Sequence, residues 1–229
     1  MDKDYTELVY AQSRTPKTDY PRRLARHLME RFGMAPGQTL LDVGCGRGDF
    51  LLGFASEGLV CSGVDGSDFA AGQGVERLAI CDLSDEPLPH DDETFDVVFS
   101  KSVIEHMWDP EHFVREQLRV LKPGGLCIVM TPDWASCMPV FYEDPTHCHP
   151  YTPGALKDLL LLHGLEQVEA ELFVQHPGVW EHLSLAVLAD LLASFCPTPF
   201  MRRLTAATGV KFFRWSVERM ALGAGRKPE

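Results

Sequence analysis

The sequence predicts an α/β fold in which a mostly parallel β-sheet is covered by helices on both faces. Two observations support this class. Short apolar runs typical of buried strands alternate with stretches of helical spacing, and glycine, proline and aspartate cluster at the boundaries between them. With 229 residues, 45% of them hydrophobic, the chain is long enough for one sizeable core and short for two. We therefore expect one domain spanning residues 1–229.

The first half of the chain predicts four strands. A leader over residues 1–36 carries a helical stretch around Pro21 to Phe32. The run "QTLLDVG" then predicts a buried strand, "DFLLGFASEG" a helix closed by Gly58, and "LVCSGVDG" a second strand. "RLAICDL" and "TFDVVFS" predict the third and fourth strands. The turn-forming "SDEPLPHDDE" between them leaves no room for a helix.

The second half continues the alternation. The Asp-Pro pair at 109–110 is typical of a helix start, and we expect the helix "EHFVREQLRVLKPGG" to stop at the glycine pair 124–125. "LCIVMTP" predicts the fifth strand. The Thr-Pro pair at 152–153 then predicts the cap of another helix, "GALKDLLLLHG".

Composition excludes several classes of protein. The 33 acidic residues outnumber the 21 basic ones, and a net charge of −12 disfavours nucleic acid as a partner. The seven cysteines form no C-x-x-C pair, so neither a disulfide framework nor a zinc finger is predicted. The N-terminus has no apolar stretch typical of a secretory signal, and the apolar segment 183–195 is too short for a transmembrane segment. We expect a soluble, cytoplasmic protein.

A glycine-rich loop follows the first predicted strand. In "LLDVGCGRGDF", residues 40–50, Gly44, Gly46 and Gly48 connect this strand to the first helix of the sheet region. In open parallel sheets, ligands bind at the carboxyl ends of the strands, and a missing Cβ lets backbone N–H groups approach a ligand. For the G-x-G-x-G pattern alone, an ordinary tight turn with packing glycines is an equal alternative.

Acidic residues at the next two strand ends favour a ligand. Asp65 ends the second strand, where a carboxylate can accept two hydrogen bonds from a ribose diol. Asp82 ends the third, where it can accept from an exocyclic amine while the Leu83 N–H meets a ring nitrogen. Each alone could be a turn residue or a loop cap. Together the three strand ends predict a nucleoside-containing cofactor.

The helix after the loop begins with Asp49, where the dinucleotide fingerprint has glycine. A carboxylate there would oppose a pyrophosphate, so a phosphate-free nucleoside fits better than a nicotinamide cofactor. The sequence resembles the class I S-adenosylmethionine-dependent methyltransferases, particularly small-molecule enzymes similar to quinone-biosynthesis methyltransferases. The resemblance covers residues 38–132 and rests on "LLDVGCGRGDF", "GVDGS", "CDLSDEPLPHDDETFDVVFS", "KSVIEHMWDPEHFVREQLRVLKPGG" and "LCIVMTP".

This resemblance implies a Rossmann-like, doubly wound sheet of seven strands with an antiparallel last strand, here "RMALGAGRKP" after "EQVEAELFVQ". It implies S-adenosyl-L-methionine as cofactor, with its methionine part at the glycine loop, its ribose at the second strand end and its adenine at the third. It also implies that Ser100 and Lys101 line the wall near the sulfonium. The residues assigned to the cofactor are Asp42, Gly44, Gly46, Gly48, Asp65, Gly66, Asp82, Leu83, Ser100 and Lys101.

These assignments divide the single domain into five parts. The leader over residues 1–36 is followed by a cofactor-binding core at 37–135 and an acceptor loop, helix and strand at 136–176. A helical insertion at 177–214 and the last strand at 215–229 complete the chain.

The expected reaction is methyl transfer to a small molecule, with oxygen as the favoured acceptor atom. The alternatives are an N- or C-methyltransferase and a noncatalytic cofactor-binding scaffold. An oxygen acceptor must lose a proton, and His147 and His149 in "YEDPTHCHPYT" are candidate bases, although they could only stitch the loop by hydrogen bonds. A metal site built from His147, Cys148, His149 and Glu143 lacks a matched second cluster, so no metal is predicted. We expect Glu105 and His106 to pack near the cofactor.

The helical insertion carries an apolar stripe, and buried core is its favoured interpretation. The alternatives are a lid over the acceptor, a dimer face in a homodimer, or peripheral membrane contact through 180–214, where basic residues could assist. A monomer is equally compatible with the sequence. The stripe comprises Trp180, Leu183, Val187, Leu188, Leu191 and Phe195, and the basic residues are Arg202, Arg203, Lys211 and Arg214.

Overall fold

The computed structural model describes residues 16–229, and the first part of the predicted leader, residues 1–15, lies outside the described residues. Seven strands form one sheet: β1 (Thr39–Val43), β2 (Val60–Asp65), β3 (Leu78–Ile80), β4 (Phe95–Lys101), β5 (Leu121–Pro132), β6 (Glu166–Phe173) and β7 (Met220–Arg226). Their order across the sheet is β3-β2-β1-β4-β5-β7-β6. Strands β1 to β5 pair in parallel, and β7 runs antiparallel to both β5 and β6. The fold predicted from the sequence is therefore confirmed.

Helices connect these strands, and two of them begin at the predicted caps. The Asp109 carboxylate accepts a hydrogen bond from the His112 N–H at 2.8 Å, and the Thr152 hydroxyl accepts one from the Ala155 N–H at 3.2 Å. Short 3₁₀ turns lie at Phe69–Gln73, Ile104–His106 and Phe141–Glu143. The helices are α1 (Tyr20–Phe32), α2 (Asp49–Ser56), α3 (Pro110–Val120), α4 (Trp134–Cys137), α5 (Pro153–Leu162), α6 (Pro177–Glu181), α7 (Leu183–Phe195), α8 (Thr198–Thr208) and α9 (Lys211–Val217).

Helix α3 ends earlier than the sequence predicts. It stops at Val120, and the glycine pair 124–125 lies inside strand β5 instead of terminating the helix. Pro123 disfavours helical backbone at the residue before it, which explains the early end. Gly124 adopts φ +70° and its N–H donates to the Lys227 carbonyl at 2.9 Å, so the pair extends β5 towards the C-terminal segment.

Two hydrophobic cores cover the two faces of the sheet. On strand β1, Leu41 packs in the core that includes residues of α3 and α5, and its neighbour Leu40 packs in the core formed with α1 and α2. Both side chains are fully buried. Adjacent strand residues point to opposite faces, so this double burial explains why the central strands are apolar at nearly every position.

The strand order reverses at β1. From this strand the chain proceeds outward through β2 and β3, and then returns to its other side through β4 and β5. A crevice at the carboxyl ends of β1 and β4 is the usual ligand position in such a sheet. The fold therefore brings together the residues that follow β1, β2, β3, β4 and β5.

The predicted core stripe of the insertion is wrong for most of its length. Leu183 and Phe195 are 81% and 80% exposed, and Leu191 is 51% exposed. Helix α7 buries Ala189 instead, against Val174 and Phe212. The spacing of the apolar residues correctly indicated a helix, but it could not show which of its faces is covered by other elements. Among residues 16–229, nothing covers the face with Leu183, Leu191 and Phe195.

Two further features complete this helical region. Trp180 is the member of the stripe that packs partly against the core, and its Nε1–H donates to the Val174 carbonyl at 2.8 Å. The region also extends beyond the expected boundary at residue 214, because α9 continues to Val217 and β7 begins at Met220. Within residues 16–229, no helix has the length and apolar character needed to cross a membrane.

Candidate functional site

The glycine loop after β1 has a left-handed backbone at each of its three glycines. The φ angles of Gly44, Gly46 and Gly48 are +77°, +54° and +80°. A Cβ added at Gly44 would lie 2.4 Å from Val103 Cγ2, and one at Gly48 would lie 2.4 Å from Val75 Cγ2. These two glycines are therefore required by backbone conformation and by close packing under the loop, a reason that the sequence pattern did not reveal.

Asp65 joins the end of β2 to this loop. The Gly46 N–H donates to Asp65 Oδ2 at 2.8 Å, and the Ser67 N–H and hydroxyl both donate to Oδ1 at 3.0 Å. Gly66, next in the chain, is exposed. Each carboxylate oxygen has two lone pairs, so Asp65 can hold the loop and still accept hydrogen bonds from a diol.

Asp42 is a buried acid at the carboxyl end of β1. Its side chain is 2% exposed, and Oδ2 has no hydrogen-bond partner among residues 16–229. Burial, reinforced by the nearby Asp65 carboxylate, raises the pKa of Asp42 to about 8. A buried polar atom without a partner among these residues is a position at which a ligand group can supply a contact.

Asp82 and Leu83 lie beside β2 on the same edge of the sheet. The Cys81 N–H donates to the Asp65 carbonyl at 3.0 Å, which fixes this position relative to the end of β2. The Asp82 carboxylate is exposed and accepts from the Ser84 N–H at 3.0 Å, and this bond lowers the pKa of Asp82. Leu83 anchors the segment because its side chain is buried in the core.

Ser100 and Lys101 end β4, next to β1. Ser100 is 1% exposed and its hydroxyl has no partner among residues 16–229. Lys101 Nζ lies 5.1 Å from the ring centroid of Phe50, at the start of α2. Burial lowers the pKa of Lys101 to about 8, although the Glu105 and Asp42 carboxylates oppose this shift. The fold thus brings together all the residues that the sequence assigned to a cofactor.

The two candidate bases lie in the loop between β5 and α5, and both are held through Nδ1. His147 Nδ1 lies 2.7 Å from the Phe141 carbonyl, and His149 Nδ1 lies 2.8 Å from the Met107 carbonyl. A carbonyl only accepts, so each Nδ1 donates and a neutral ring carries its lone pair on Nε2. The predicted stitching is therefore present, and it leaves each ring oriented with a basic nitrogen.

Sequence reasoning underrated Glu105, in the 3₁₀ turn after β4. Its side chain is fully buried, Oε2 accepts from the Thr131 hydroxyl at 2.9 Å, and Oε1 has no partner among residues 16–229. Burial raises the pKa of Glu105 to about 7. Its backbone carbonyl accepts from the N–H groups of Cys148 and His149 at 2.8 and 3.1 Å. The only signal in the sequence was an acid following two apolar residues in "SVIEH".

Comparisons with known proteins identify methyltransferases as relatives of this chain. The chain matches a family described as a methyltransferase domain over residues 17–170. It is 36% identical over 118 residues to a ubiquinone biosynthesis O-methyltransferase of Caulobacter vibrioides, covering 47% of each chain. It is 35% identical over 104 residues to norajmaline N-methyltransferase of Rauvolfia serpentina, covering 41% of this chain and 36% of that protein. The chain spans about half the length of the curated relatives it matches.

Solved structures show the same fold. A methyltransferase from Archaeoglobus fulgidus described as SAM-dependent superposes with a TM-score of 0.64 at 20% identity, covering 99% of this chain and 100% of that one. A Haemonchus contortus phosphoethanolamine N-methyltransferase, solved with S-adenosyl-L-methionine, gives 0.64 at 21% identity, covering 100% and 61%. With the match over residues 17–170, these findings identify the chain as a member of the class I S-adenosylmethionine-dependent methyltransferase family.

Proposed function

We propose that this protein transfers the methyl group of S-adenosylmethionine to an oxygen atom of a small-molecule acceptor. The observation that carries the proposal is the unpartnered, buried Oδ2 of Asp42, which lies at the same sheet edge as the carboxylates of Asp65 and Asp82. The distribution of polar groups suits a ligand with an amino-acid end, a ribose diol and a base. Relatives named as O- and N-methyltransferases support methyl transfer and leave the choice of acceptor atom to experiment.

In this proposal the glycine loop and Asp42 hold the methionine part of the cofactor. Asp65 accepts hydrogen bonds from the ribose hydroxyls, and Asp82 with the Leu83 N–H binds the adenine. When bound, S-adenosylmethionine supplies a methyl group activated by positive sulfur. The protein then has to align the acceptor with that methyl group and exclude water.

An oxygen acceptor also has to lose a proton, and we propose His147 and His149 as the candidate bases. Their Nδ1 contacts to carbonyls orient Nε2 as the proton-accepting nitrogen. A cytoplasmic location is part of the proposal, and it is supported by seven cysteines that form no disulfide, all of them within residues 16–229.

Calorimetric titration with S-adenosylhomocysteine tests the cofactor assignment. The native protein should bind one equivalent, and Asp65→Ala should weaken binding about 100-fold because two hydrogen bonds to a charged group are lost. Asp68→Ala is the matched control, since this exposed acid is three residues further along the same connection. Circular dichroism should show that both variants are folded. Absence of binding by the native protein, or tighter binding of a nicotinamide dinucleotide, would overturn the proposal.

The base assignment is tested after a panel of phenols and amines has yielded an acceptor. Replacement of the base by alanine should lower turnover about 100-fold or more, while the affinity for S-adenosylhomocysteine should be retained. A pH-rate profile that loses its lower inflection in the same variant would distinguish a base from a loop-stabilising residue. Unchanged turnover in both His147→Ala and His149→Ala would remove both histidines from the mechanism.

A further inference from the structure

We propose that Glu105, His106 and His147 form a binding site for one divalent transition-metal ion such as zinc. Each residue offers one ligand atom, and these atoms all lie within 4.8 Å of one another. Two of the residues come from the turn after β4, and the third comes from the loop after β5. The sheet thus joins two pieces of a site that are separate in the sequence.

Glu105 supplies the negative ligand. Its fully buried side chain uses Oε2 to accept from the Thr131 hydroxyl at 2.9 Å, which orients the carboxylate. Oε1 has no hydrogen-bond partner among residues 16–229. A buried carboxylate oxygen without a donor is costly, and coordination of a cation would supply the missing interaction.

The two histidines have the outer contacts expected of metal ligands. His147 Nδ1 is held by the Phe141 carbonyl at 2.7 Å, and His106 Nδ1 lies 2.8 Å from the Thr146 hydroxyl. That hydroxyl in turn donates to Asp144 Oδ1 at 2.6 Å. Carbonyl or carboxylate-linked contacts of this kind fix the tautomer of a ligating histidine and direct its Nε2 to the metal.

The ligand set favours a transition metal over magnesium or calcium. Imidazole nitrogens suit zinc and its neighbours, whereas magnesium and calcium prefer oxygen ligands. Tetrahedral zinc with bonds of about 2.1 Å holds its ligands about 3.4 Å apart. The side chains therefore have to close by about 1.4 Å at most from the 4.8 Å limit.

The set of metal ligands considered from the sequence, His147, Cys148, His149 and Glu143, differs from the set that the fold brings together. Glu143 forms an ion pair with Arg202, and neither Cys148 nor His149 belongs to the group of residues whose ligand atoms lie within 4.8 Å of one another. The prediction of no metal rested on the lack of a second cluster near His147. Glu105 and His106 provide that cluster because β4 and β5 are adjacent parallel strands.

Three protein ligands leave a fourth coordination position, as in catalytic zinc sites. The three ligands lie at the sheet edge that follows β4 and β5, where an oxygen atom of the acceptor would fill the fourth position. That role rests on the proposed methyl transfer, whereas metal binding itself does not. With His147 holding the metal, His149 is the remaining candidate base of the pair.

The test is metal titration of the chelator-treated protein with no cofactor or acceptor present. Zinc binding measured by calorimetry, and the visible absorption of bound cobalt, should show one ion per chain in a site with nitrogen and oxygen ligands. His147→Ala should weaken zinc about 100-fold or more, and Glu105→Gln, which keeps the side-chain size, should weaken it similarly. His149→Ala is the matched control and should retain zinc affinity.

Titration with S-adenosylhomocysteine separates this inference from the proposed function. Variants that lose zinc binding but still bind S-adenosylhomocysteine are folded. Their loss of zinc binding then supports the metal site. A native protein that binds S-adenosylhomocysteine but takes up no stoichiometric zinc or cobalt would overturn the metal site alone. Equal loss of zinc in the His147→Ala and His149→Ala variants would also overturn it, because only one of these histidines belongs to the cluster.

Discussion

The sheet edge proposed to bind the cofactor, termed the cofactor edge, differs from the exposed face of α7 in how its structure follows from the sequence. The cofactor edge is formed by Asp42, the glycine loop, Asp65 and Asp82. The exposed face of α7 is formed by Leu183, Leu191 and Phe195. At the cofactor edge, parallel strands carry each strand end to the same side of the sheet, so order along the chain determines position. On α7, helical spacing determines only which residues share a face. What covers that face depends on parts of the fold remote in the sequence.

The two regions also differ in packing. At the cofactor edge an added Cβ would fall 2.4 Å from another side chain, whereas Leu183 and Phe195 on α7 are about four-fifths exposed. Substitutions of the tightly packed glycines at the cofactor edge should therefore lower stability, and substitutions on the exposed helix face should cost little. The following measurements test that contrast.

The largest loss of stability is expected at Gly48. Its φ of +80° is strained for any other residue, and a Cβ there would lie 2.4 Å from Val75 Cγ2. Gly48→Ala should lower the free energy of unfolding by about 3 kcal/mol, measured by denaturant titration. Because Val75 is the obstructing neighbour, adding Val75→Ala should restore the part of this loss that is due to the clash.

Gly74→Ala provides the control for backbone strain alone. Gly74 has φ +90°, but no heavy atom lies within 4 Å of its added Cβ. Its replacement should cost about 1 kcal/mol. Equal losses at Gly48 and Gly74 would show that packing beneath the loop is not what distinguishes the cofactor edge.

The glycine positions illustrate how far sequence reasoning extends. The pattern "GCGRG" located the loop between β1 and α2, but it did not identify the loop's packing partners, because Val75 and Val103 are distant in sequence. The same limit applies to Glu105, whose buried, unpartnered oxygen becomes visible only when Thr131 and the histidine loop are placed around it. Local chemistry was predictable, and its long-range contacts were not.

The contribution of Asp42 to the free energy of unfolding should depend on pH. Its folded-state pKa of about 8 is above the ordinary value of 3.8, so its contribution to stability is full below about pH 4 and is lost as pH rises through 8. At pH 8, Asp42→Asn should therefore be more stable than the native protein, with little difference near pH 4. Unfolding measured at pH 4.5, 6 and 8 tests this.

The Asp42→Asn variant should also bind S-adenosylhomocysteine more weakly, because the substitution removes the carboxylate proposed to contact the ligand. Asp68→Asn, at an exposed acid, should change neither property. A native protein and an Asp42→Asn variant with parallel pH profiles would show that the burial of Asp42 does not strain the folded state.

An intermediate effect is expected at Arg202, which links the helical region to the acceptor loop. Arg202 on α8 pairs with the largely buried Glu218 and also with Glu143 of the acceptor loop. Arg202→Gln should lower the free energy of unfolding by about 1 kcal/mol, a value reduced by the partial exposure of the pair. Arg203→Gln next to it, at an exposed side chain, should leave stability unchanged. Amide exchange should localise the first effect to residues 198–217.

The smallest effect is expected on the exposed face of α7, where adjacent leucines provide the contrast. Leu191 is 51% exposed, whereas Leu192 packs against the cluster of Val174, Ala189 and Phe212. Leu191→Gln should change the free energy of unfolding by less than about 0.5 kcal/mol, and Leu192→Gln should cost about 2 kcal/mol. Both variants should be measured at two protein concentrations. If a second copy covers this face, the folded protein gains stability as the concentration rises, by mass action. If the cost of Leu191→Gln grows with concentration, the face belongs to a homodimer. If it stays near zero, the apolar side chains of α7 are free to serve the acceptor or a membrane surface, and the contrast with the cofactor edge is complete.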